Sequence, residues 1–426
     1  VIEPPATHLP AVDEPPPHPI FSGVGTEIEY MIVDAASLDV RPLADELLRD
    51  QTGADTCPAT ADRGETGWSN EFVLHLIELK TAGPQRSLLR TAQLMREEVA
   101  AANRLLAKRG ARLLPGGAHP WMDPKTETRL WPHEGSEIYA AYDRIFDARQ
   151  HGYANVQSVH LNYPFADDDQ FGRLHAAVRL ILPLIPALAA ASPILDGAPN
   201  RLADARLGAY MANALRVPLM TGDTIPEPVY TRDDYRRLIL APLYDAMTPL
   251  DPEGVLEAGE WLNARGAIAR FERNAIEIRL VDAQECPLMD MGIAAAVTGA
   301  LKGMVEERWV GYEAQRRFDT GRLKAILLAT MADAESTIVA DREYAALFGV
   351  DRATTAGQLW RKIRERSADA WPVEPEVTAA LDTIFTHGTL ATRLLRRLAG
   401  DYRRQALTET WRELARSLDD GVPFVP

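Results

Sequence analysis

GTEIEYMIVD, residues 25–34, alternates polar and apolar side chains before running apolar, the two-residue period of a half-buried β-strand. Glu27 and Glu29 lie two apart and so share one sheet face, with Cα atoms roughly 6.6 Å apart at the usual rise. Adjacent anions repel unless cations or solvent relieve them, and a solvated outer face is the plain alternative. Three further segments bring polar residues into an apolar alternation in the same way. In SVHLNY, residues 158–163, Ser158, His160 and Asn162 share one face while Val159, Leu161 and Tyr163 share the other. In NAIEIRLVD, residues 274–282, Ile276, Ile278 and Leu280 point one way and Glu277 and Arg279 the other. In SNEFVLHLIELKT, residues 69–81, Glu71 and Glu78 bracket an apolar run, with His75 and Lys80 nearby, and the segment is short enough to read as strand or helix. Seven residues is an odd number of strand steps. A bulge, or Glu71 on the preceding loop, is therefore needed for both carboxylates to meet one site. Taken singly, His160 reads as a structural histidine and Glu277 with Arg279 as a surface salt bridge.

Outward from these strands the chain is mixed. Residues 1–20 hold seven prolines and no Lys or Arg, the composition of an extended arm. A short helix is expected around Leu43–Leu48. Ser87 caps an amphipathic helix carrying Leu88, Leu94, Met95, Val99 and Leu105, with Gly110 as its stop and the strand ARLLPGG after it. A long apolar helix is expected from about Arg173 to Ala191. Beyond residue 282 the pattern is almost wholly helical, with Leu and Trp stripes alternating with charge. The expected class is α+β: an arm over 1–20, a sheet-bearing domain over 21–310, and a helical C-terminal region over 311–426.

The 426 residues carry 46 Lys+Arg against 61 Asp+Glu, a formal net charge of −15. Such a surface repels nucleic acid and anionic membranes, so neither is expected as a partner. Two cysteines, Cys57 and Cys286, are too few for a disulfide framework or a thiolate metal site and fit a reducing cytoplasm. Neither a membrane anchor nor an export signal is expected.

The four segments together offer five carboxylates, one imidazole and one guanidinium. Hard oxygen donors in excess suit Mg²⁺ or Mn²⁺ and not zinc. Magnesium binds through phosphates, so a carboxylate cluster beside an arginine reads as a nucleoside-triphosphate site and phosphoryl transfer as its reaction. No GxxxxGK[ST] motif is present, since GGAHP at 116–120 lacks the Lys and the spacing. The nucleotide must then sit on a sheet face, held chiefly through metal.

The chain resembles the glutamate-cysteine ligase superfamily, in its bacterial branch with the carboxylate-amine ligases, and more distantly glutamine synthetase. The resemblance is carried in order by Gly25-Thr-Glu-Ile-Glu29, Glu71 with Glu78, Gly117-Ala-His-Pro120, Ser158-Val-His-Leu-Asn162, Ala191-Ser-Pro with Asp196-Gly197 and a following Arg, and Ile276-Glu-Ile-Arg279. It implies a glutamine-synthetase-like curved antiparallel sheet with helices on its outer side and the site on its concave face. It implies ATP, two or three Mg²⁺ ions and an acyl phosphate. By position, Glu27, Glu29, Glu71, Glu78, His160 and Glu277 would be metal ligands, with Asn162 and His160 near the nucleotide. Arg279 would stabilise the transferring phosphoryl group, Arg206 (with Arg201 as its rival) would be a second phosphate arginine, and Arg144 a weaker clamp.

The small-molecule substrates that the resemblance implies are glutamate, used at its γ-carboxyl, and an amine, cysteine among the candidates. An aromatic cover against water is expected from Trp121, Trp131, Tyr139 and Tyr142. Two rival readings use the same residues. A metal-dependent amidohydrolase would work without ATP, and a noncatalytic Mg-nucleotide-binding regulator would release no ADP. Helices past residue 310 could form a homo-oligomer interface, or simply an intramolecular core.

Overall fold

The computed structural model describes residues 18–256 and 259–426, so most of the proline-rich arm lies outside the described residues. Eight antiparallel strands form one sheet: β1 (Gly25–Asp34), β2 (Thr60–Asp62), β3 (Thr66–Asn70), β4 (Leu76–Thr81), β5 (Ala111–Leu114), β6 (Ser158–Pro164), β7 (Ala267–Arg270) and β8 (Ala275–Asp282). Their order is β2-β3-β4-β1-β6-β8-β7, with β5 beside the second half of β1. The ambiguous segment 69–81 is thus the end of β3, a loop carrying Glu71, and β4. The loop resolves the odd spacing of Glu71 and Glu78 in the second of the two ways the sequence allows.

Strand alternation sorts the sheet into two faces. Ile28, Tyr30, Leu79, Val159, Leu161, Ile276 and Ile278 are fully buried and join one apolar cluster with residues of α2 (Leu88–Leu106) and of a later helix, Pro287–Val305. Helix α2 starts where expected: the Ser87 hydroxyl accepts from the N–H of Arg90 (3.0 Å), and Gly110 ends the following turn in the left-handed conformation. Strand β8 is irregular. Its pairing with β6 shifts between Ile278 and Val281, so Leu280 and Val281 both face the core and Asp282 returns to the polar face opposite Ser158.

The other helices named below are α1 (Ala44–Thr52), α3 (Ser136–Phe146), α4 (Asp168–Ile181), α5 (Ala205–Ala212), α6 (Pro287–Val305), α7 (Ala356–Ser367), α8 (Pro375–His387), α9 (Leu390–Leu398) and α10 (Arg404–Asp420). Helix α1 lies close to the short helix expected around Leu43–Leu48. The continuous helix expected over 173–191 is not formed. Helix α4 stops at Ile181, and Pro183 and Pro186 divide the rest into a 3₁₀ turn and a four-residue helix, because neither can donate an i→i−4 hydrogen bond.

Helix α6 is apolar on all sides because α2 and α4 pack on it from one part of the chain and α7 and α8 from another. It is the one helix among the described residues with the length and composition to cross a membrane, and 83% of its most apolar window is buried inside the protein. Past α6 the chain is helical apart from a two-residue strand pair, Ile338–Val339 with Thr354–Thr355. Leu407, Trp411 and Leu414 of α10 pack with Val33 and Leu114 of the sheet, and Arg112 bonds Asp419 at 2.9 Å. A fully buried ion pair joins Arg393 of α9 to Glu285, whose carboxylate also accepts the N–H of Phe424 (3.0 Å). The mixed α+β class expected from the sequence is the one observed.

Candidate active site

The polar face carries Glu27, Glu29, Glu78, Ser158, His160, Glu277 and Arg279, and the register makes them neighbours. Glu27 stands opposite Lys80 on β4 and opposite His160 on β6, Glu29 opposite Glu78, and Glu277 opposite Asn162. Four strands therefore deliver one cluster, above which lies a cavity of about 310 Å³ that Glu71 also lines from its loop. Donor atoms of Glu27, Glu78 and His160 fall within 4.8 Å of one another.

His160 is the hub of the cluster. Its Nδ1 lies 3.1 Å from Glu27 Oε2 and 3.7 Å from Glu277 Oε1, while its Nε2 lies 3.1 Å from Ser158 Oγ and 3.8 Å from Glu29 Oε1. Glu29 Oε2 accepts from both the N–H and the hydroxyl of Ser158, each at 2.8 Å. Glu78 Oε1 accepts from Ser69 Oγ (2.6 Å) and Lys80 Nζ (2.9 Å). Arg279 donates through Nε to Glu277 at 3.0 Å and through Nη1 to Tyr210 Oη at 3.3 Å, and Arg270 reaches the other Glu277 oxygen at 3.2 Å. Asn162 donates to Glu27 at 3.3 Å, and Arg273, half exposed, meets the same oxygen at 3.3 Å.

Like charges placed directly opposite destabilise a sheet, and Glu29 against Glu78 is such a pair. The local fields divide the acids. For Glu27, burial pushes the carboxyl up, but the hydrogen bond and charge of His160, with Arg273 and Lys80, outweigh it and hold Glu27 well below the usual range. Glu277 is likewise raised by burial and brought down below its ordinary value by Arg279, His160 and Arg270. Glu71 is driven far up by burial and then by Glu29 and Glu78, with only Lys80 opposing, and Glu78 is raised by burial and by Glu27. For His160, burial disfavours the imidazolium, but Glu27, Glu277 and Glu29 together raise it above its ordinary value. Two acids are thus held ionised beside two that resist ionisation, and a cation between them would relieve both. Hard oxygens with a single imidazole fit Mg²⁺ or Mn²⁺.

A second constellation holds Arg206. The bulge in β8 brings Asp282 to this face, where its Oδ2 accepts the N–H of Ala191 and the hydroxyl of Ser192, each at 2.8 Å, and its Oδ1 accepts Nε of Arg206. An added Cβ at Gly117 would collide with the Asp282 carboxylate, so the glycine leaves the room this carboxylate needs. The Gly117–Pro120 and Ala191–Pro193 segments therefore serve as scaffold. His119 is buried with Nε2 2.7 Å from Leu38 O, and burial keeps its pKa down at about 4. Arg206 lines the cavity, yet its buried Nη2 has no partner. An orphaned guanidinium nitrogen beside a carboxylate cluster is a fit for an anionic oxygen such as a phosphate.

Of the ten residues singled out in the sequence, Glu27, Glu29, Glu71, Glu78, His160, Arg206, Glu277 and Arg279 line this cavity, and Asn162 braces Glu27 from the edge. Arg144 does not join them. It sits on α3, its side chain 52% exposed, and lines a neighbouring pocket instead, with Asp251 at 4.0 Å. Arg201 is exposed and away from the cavity lining. The expected aromatic cover is also corrected. Trp131 is buried in the main core, Trp121 lies under Arg404, and Tyr139 and Tyr142 pack behind Phe72, leaving Phe72, Tyr153 and Tyr210 as the aromatic wall. Lys80 was visible only as a neighbour of Glu78. Arg270, Arg273 and Asp282 carry no spacing signal, since a β-hairpin and a bulge bring them in.

A family model described as glutamate-cysteine ligase family 2 matches residues 23–417. An uncharacterized protein of Archaeoglobus fulgidus is 36% identical over 284 residues, covering 67% of this chain and 75% of its own length. A protein of Rubrobacter xylanophilus provisionally named glutamate–cysteine ligase 2-3 is 26% identical over 185 residues, 43% of this chain and 47% of its own. Among solved structures, glutamate–cysteine ligase of Francisella tularensis in complex with AMP is similar with a TM-score of 0.58 at 13% identity, over 93% of this chain and 88% of that one. A bifunctional glutathione synthetase of Pasteurella multocida is similar with a TM-score of 0.55 at 14% identity, over 93% of this chain and 52% of that one.

Proposed function

Because the chain belongs to glutamate-cysteine ligase family 2, we propose that it is an ATP-dependent carboxylate–amine ligase that activates the γ-carboxyl of glutamate as an acyl phosphate. A carboxylate does not react with an amine at neutral pH, because its carbonyl is deactivated and its leaving group poor. Transfer of the γ-phosphoryl of ATP to the carboxylate produces ADP and an acyl phosphate, and attack by the amine then expels phosphate and leaves the amide.

The single observation that carries this reading is the convergence of Glu27, Glu78 and His160 donor atoms within 4.8 Å, flanked by Arg279 and Arg206. Glu27, Glu29, Glu71, Glu78, Glu277 and His160 would hold Mg²⁺, which supplies charge neutralisation at phosphate oxygens. Arg279, fixed by Glu277 and Tyr210, would meet charge as it develops on the transferring group. Arg206, fixed by Asp282, would offer its free Nη2 to a second phosphate oxygen. His160 meets Glu27 through Nδ1, while its Nε2 meets Ser158 Oγ, which in turn donates to Glu29. The AMP in the Francisella ligase supports a nucleotide here, and the free thiols Cys57 and Cys286 are consistent with a reducing cytoplasm.

The test is ADP release with Mg²⁺, ATP and glutamate, screened across cysteine and a panel of other amines. The expected result is ADP formed in step with amide. Amide cleavage without ATP would instead support an amidohydrolase, and nucleotide binding without ADP release a regulatory protein.

A further inference from the structure

Asp204 is a fully buried acid that the chemistry above leaves unused. It stands immediately before α5, two residues ahead of Arg206, and its Oδ1 caps the helix by accepting the N–H of Leu207 at 2.9 Å. Its own N–H donates to Met331 O at 3.0 Å, and its backbone pairs with that of Ser192. Its second carboxyl oxygen, Oδ2, is buried and receives no donor. An ionised Asp204 would therefore keep an unsatisfied anionic oxygen inside the protein.

The group that faces Asp204 is another acid. Asp282 of β8, itself fully buried, lies within hydrogen-bonding reach of it, and two buried carboxyl groups in contact resist ionising together. Burial and then the charge of Asp282 push the Asp204 carboxyl well above its usual range, with Arg206 and the N–H of Leu207 opposing. Arg206 is the cation that both acids share, and Glu29 of β1 also acts on it. The contacts of Asp204 with Ser192 and Met331 are backbone contacts and bring no charge.

A carboxylate offers about four lone-pair sites. On Asp282, Oδ2 accepts the N–H of Ala191 and the hydroxyl of Ser192, and Oδ1 accepts Nε of Arg206. The site left on Oδ1 suits an O–H from Asp204 Oδ2, and one proton then satisfies both acids. It also decides what Arg206 can do. Nε and Nη2 form one edge of the guanidinium, and a carboxylate with open sites would take both. With Asp282 saturated, Nη2 stays without a protein partner in a residue that lines the cavity. An ionised Asp204 would compete for that nitrogen and set two negative charges against one positive where a phosphate must bind.

Resting on the ligase reading above, we propose that Asp204 is a positioning residue for Arg206: it carries a proton, donates it to Asp282, and so keeps Nη2 of Arg206 free for an anionic phosphate oxygen.

Infrared spectra of the metal-free protein at neutral pH test the proton itself. Replacing Asp204 by D204N should remove the C=O stretch of one protonated carboxyl, a band that shifts in heavy water. Loss of carboxylate bands instead overturns the proposal. Calorimetric binding of Mg-ATP tests the consequence. The amide of D204N can cap α5 and donate to Asp282, so its Kd should stay within about threefold of the unmodified protein. D204S still caps the helix but is too short to reach Asp282, and should weaken binding about tenfold. Melting temperatures establish that D204S is folded. D204N, isosteric with the acid, should melt close to the unmodified protein, and its collapse overturns the proposal. Equal Kd values in D204N and D204S do so too, whether both are weakened or both unchanged. An ionised Asp204 in a protein that releases ADP in step with amide sinks this inference alone. A protonated Asp204 with the expected D204S loss, in a protein that releases no ADP, sinks the ligase reading and leaves the role of Asp204 standing. Failure of the unmodified protein to bind Mg-ATP sinks both.

Discussion

The two faces of the sheet are made by the same strands and answer to different physics. On one face, Ile28, Leu79, Val159, Leu161 and Ile276 are chosen for burial against α2 and α6, and neighbours of the same kind help one another. On the other, Glu27, Glu29, Glu78 and Glu277 are neighbours that oppose one another until a proton, the imidazole of His160 or a cation intervenes. The apolar face is complete as it stands, while the polar site holds Glu71 well above and Glu78 above the ordinary carboxyl range, and Arg206 with an unused donor. One residue step along a strand separates stability from chemistry.

That division can be broken from either side. The largest effect is expected on the polar face: Arg279→Ala or Glu277→Gln should reduce ATP-dependent amide formation by about a hundredfold or more, from loss of about 3 kcal/mol of transition-state stabilisation. The melting temperature should stay near that of the unmodified protein, and near-normal turnover would contradict the assignment. On the apolar face the reverse is expected. Leu161→Ala should cost about 2–5 kcal/mol in denaturant unfolding while leaving KM for ATP unchanged in the folded fraction.

Two smaller effects sharpen the contrast through pH. His75 and His119 are buried and neutral, with burial holding each at about 4. Their unfolded counterparts bind protons from about pH 6.5 downward, so their contribution is fully present above that pH. It is lost as pH falls toward 4, at about 1.4 kcal/mol per pH unit for each while only the unfolded form is protonated. Thermal unfolding between pH 7 and 4 reads this slope, and His119→Phe should reduce it. Glu71 has the opposite sign. Its folded carboxyl is raised, so the metal-free protein loses stability as pH climbs above the unfolded carboxyl value of about 4.3. Glu71→Gln should flatten that loss, and should also remove most of any stabilisation by added Mg²⁺; unchanged Mg²⁺ stabilisation would place the cation elsewhere.

The strand pairs at the heart of the site were legible because alternation writes both faces into a short sequence: Glu27 with Glu29, and Glu277 with Arg279, could be assigned to one side before any pairing was known. What alternation cannot carry is contact across the chain. Asp282 reaches the site only because β8 bulges after Ile278, and Arg270 only because β7 folds back in a hairpin. Arg144 misled for the complementary reason, since a helix position reports which residues share its face and says nothing of which cavity that face meets. The apolar pattern at 173–191 promised one helix, which its prolines broke.

The most direct measurement uses glutamate labelled with ¹⁸O in its γ-carboxylate, followed through amide formation with ATP and Mg²⁺ to the phosphate released. An acyl phosphate requires one labelled oxygen to appear in each phosphate. Amide formed with unlabelled phosphate would contradict carboxylate activation by phosphoryl transfer at this site.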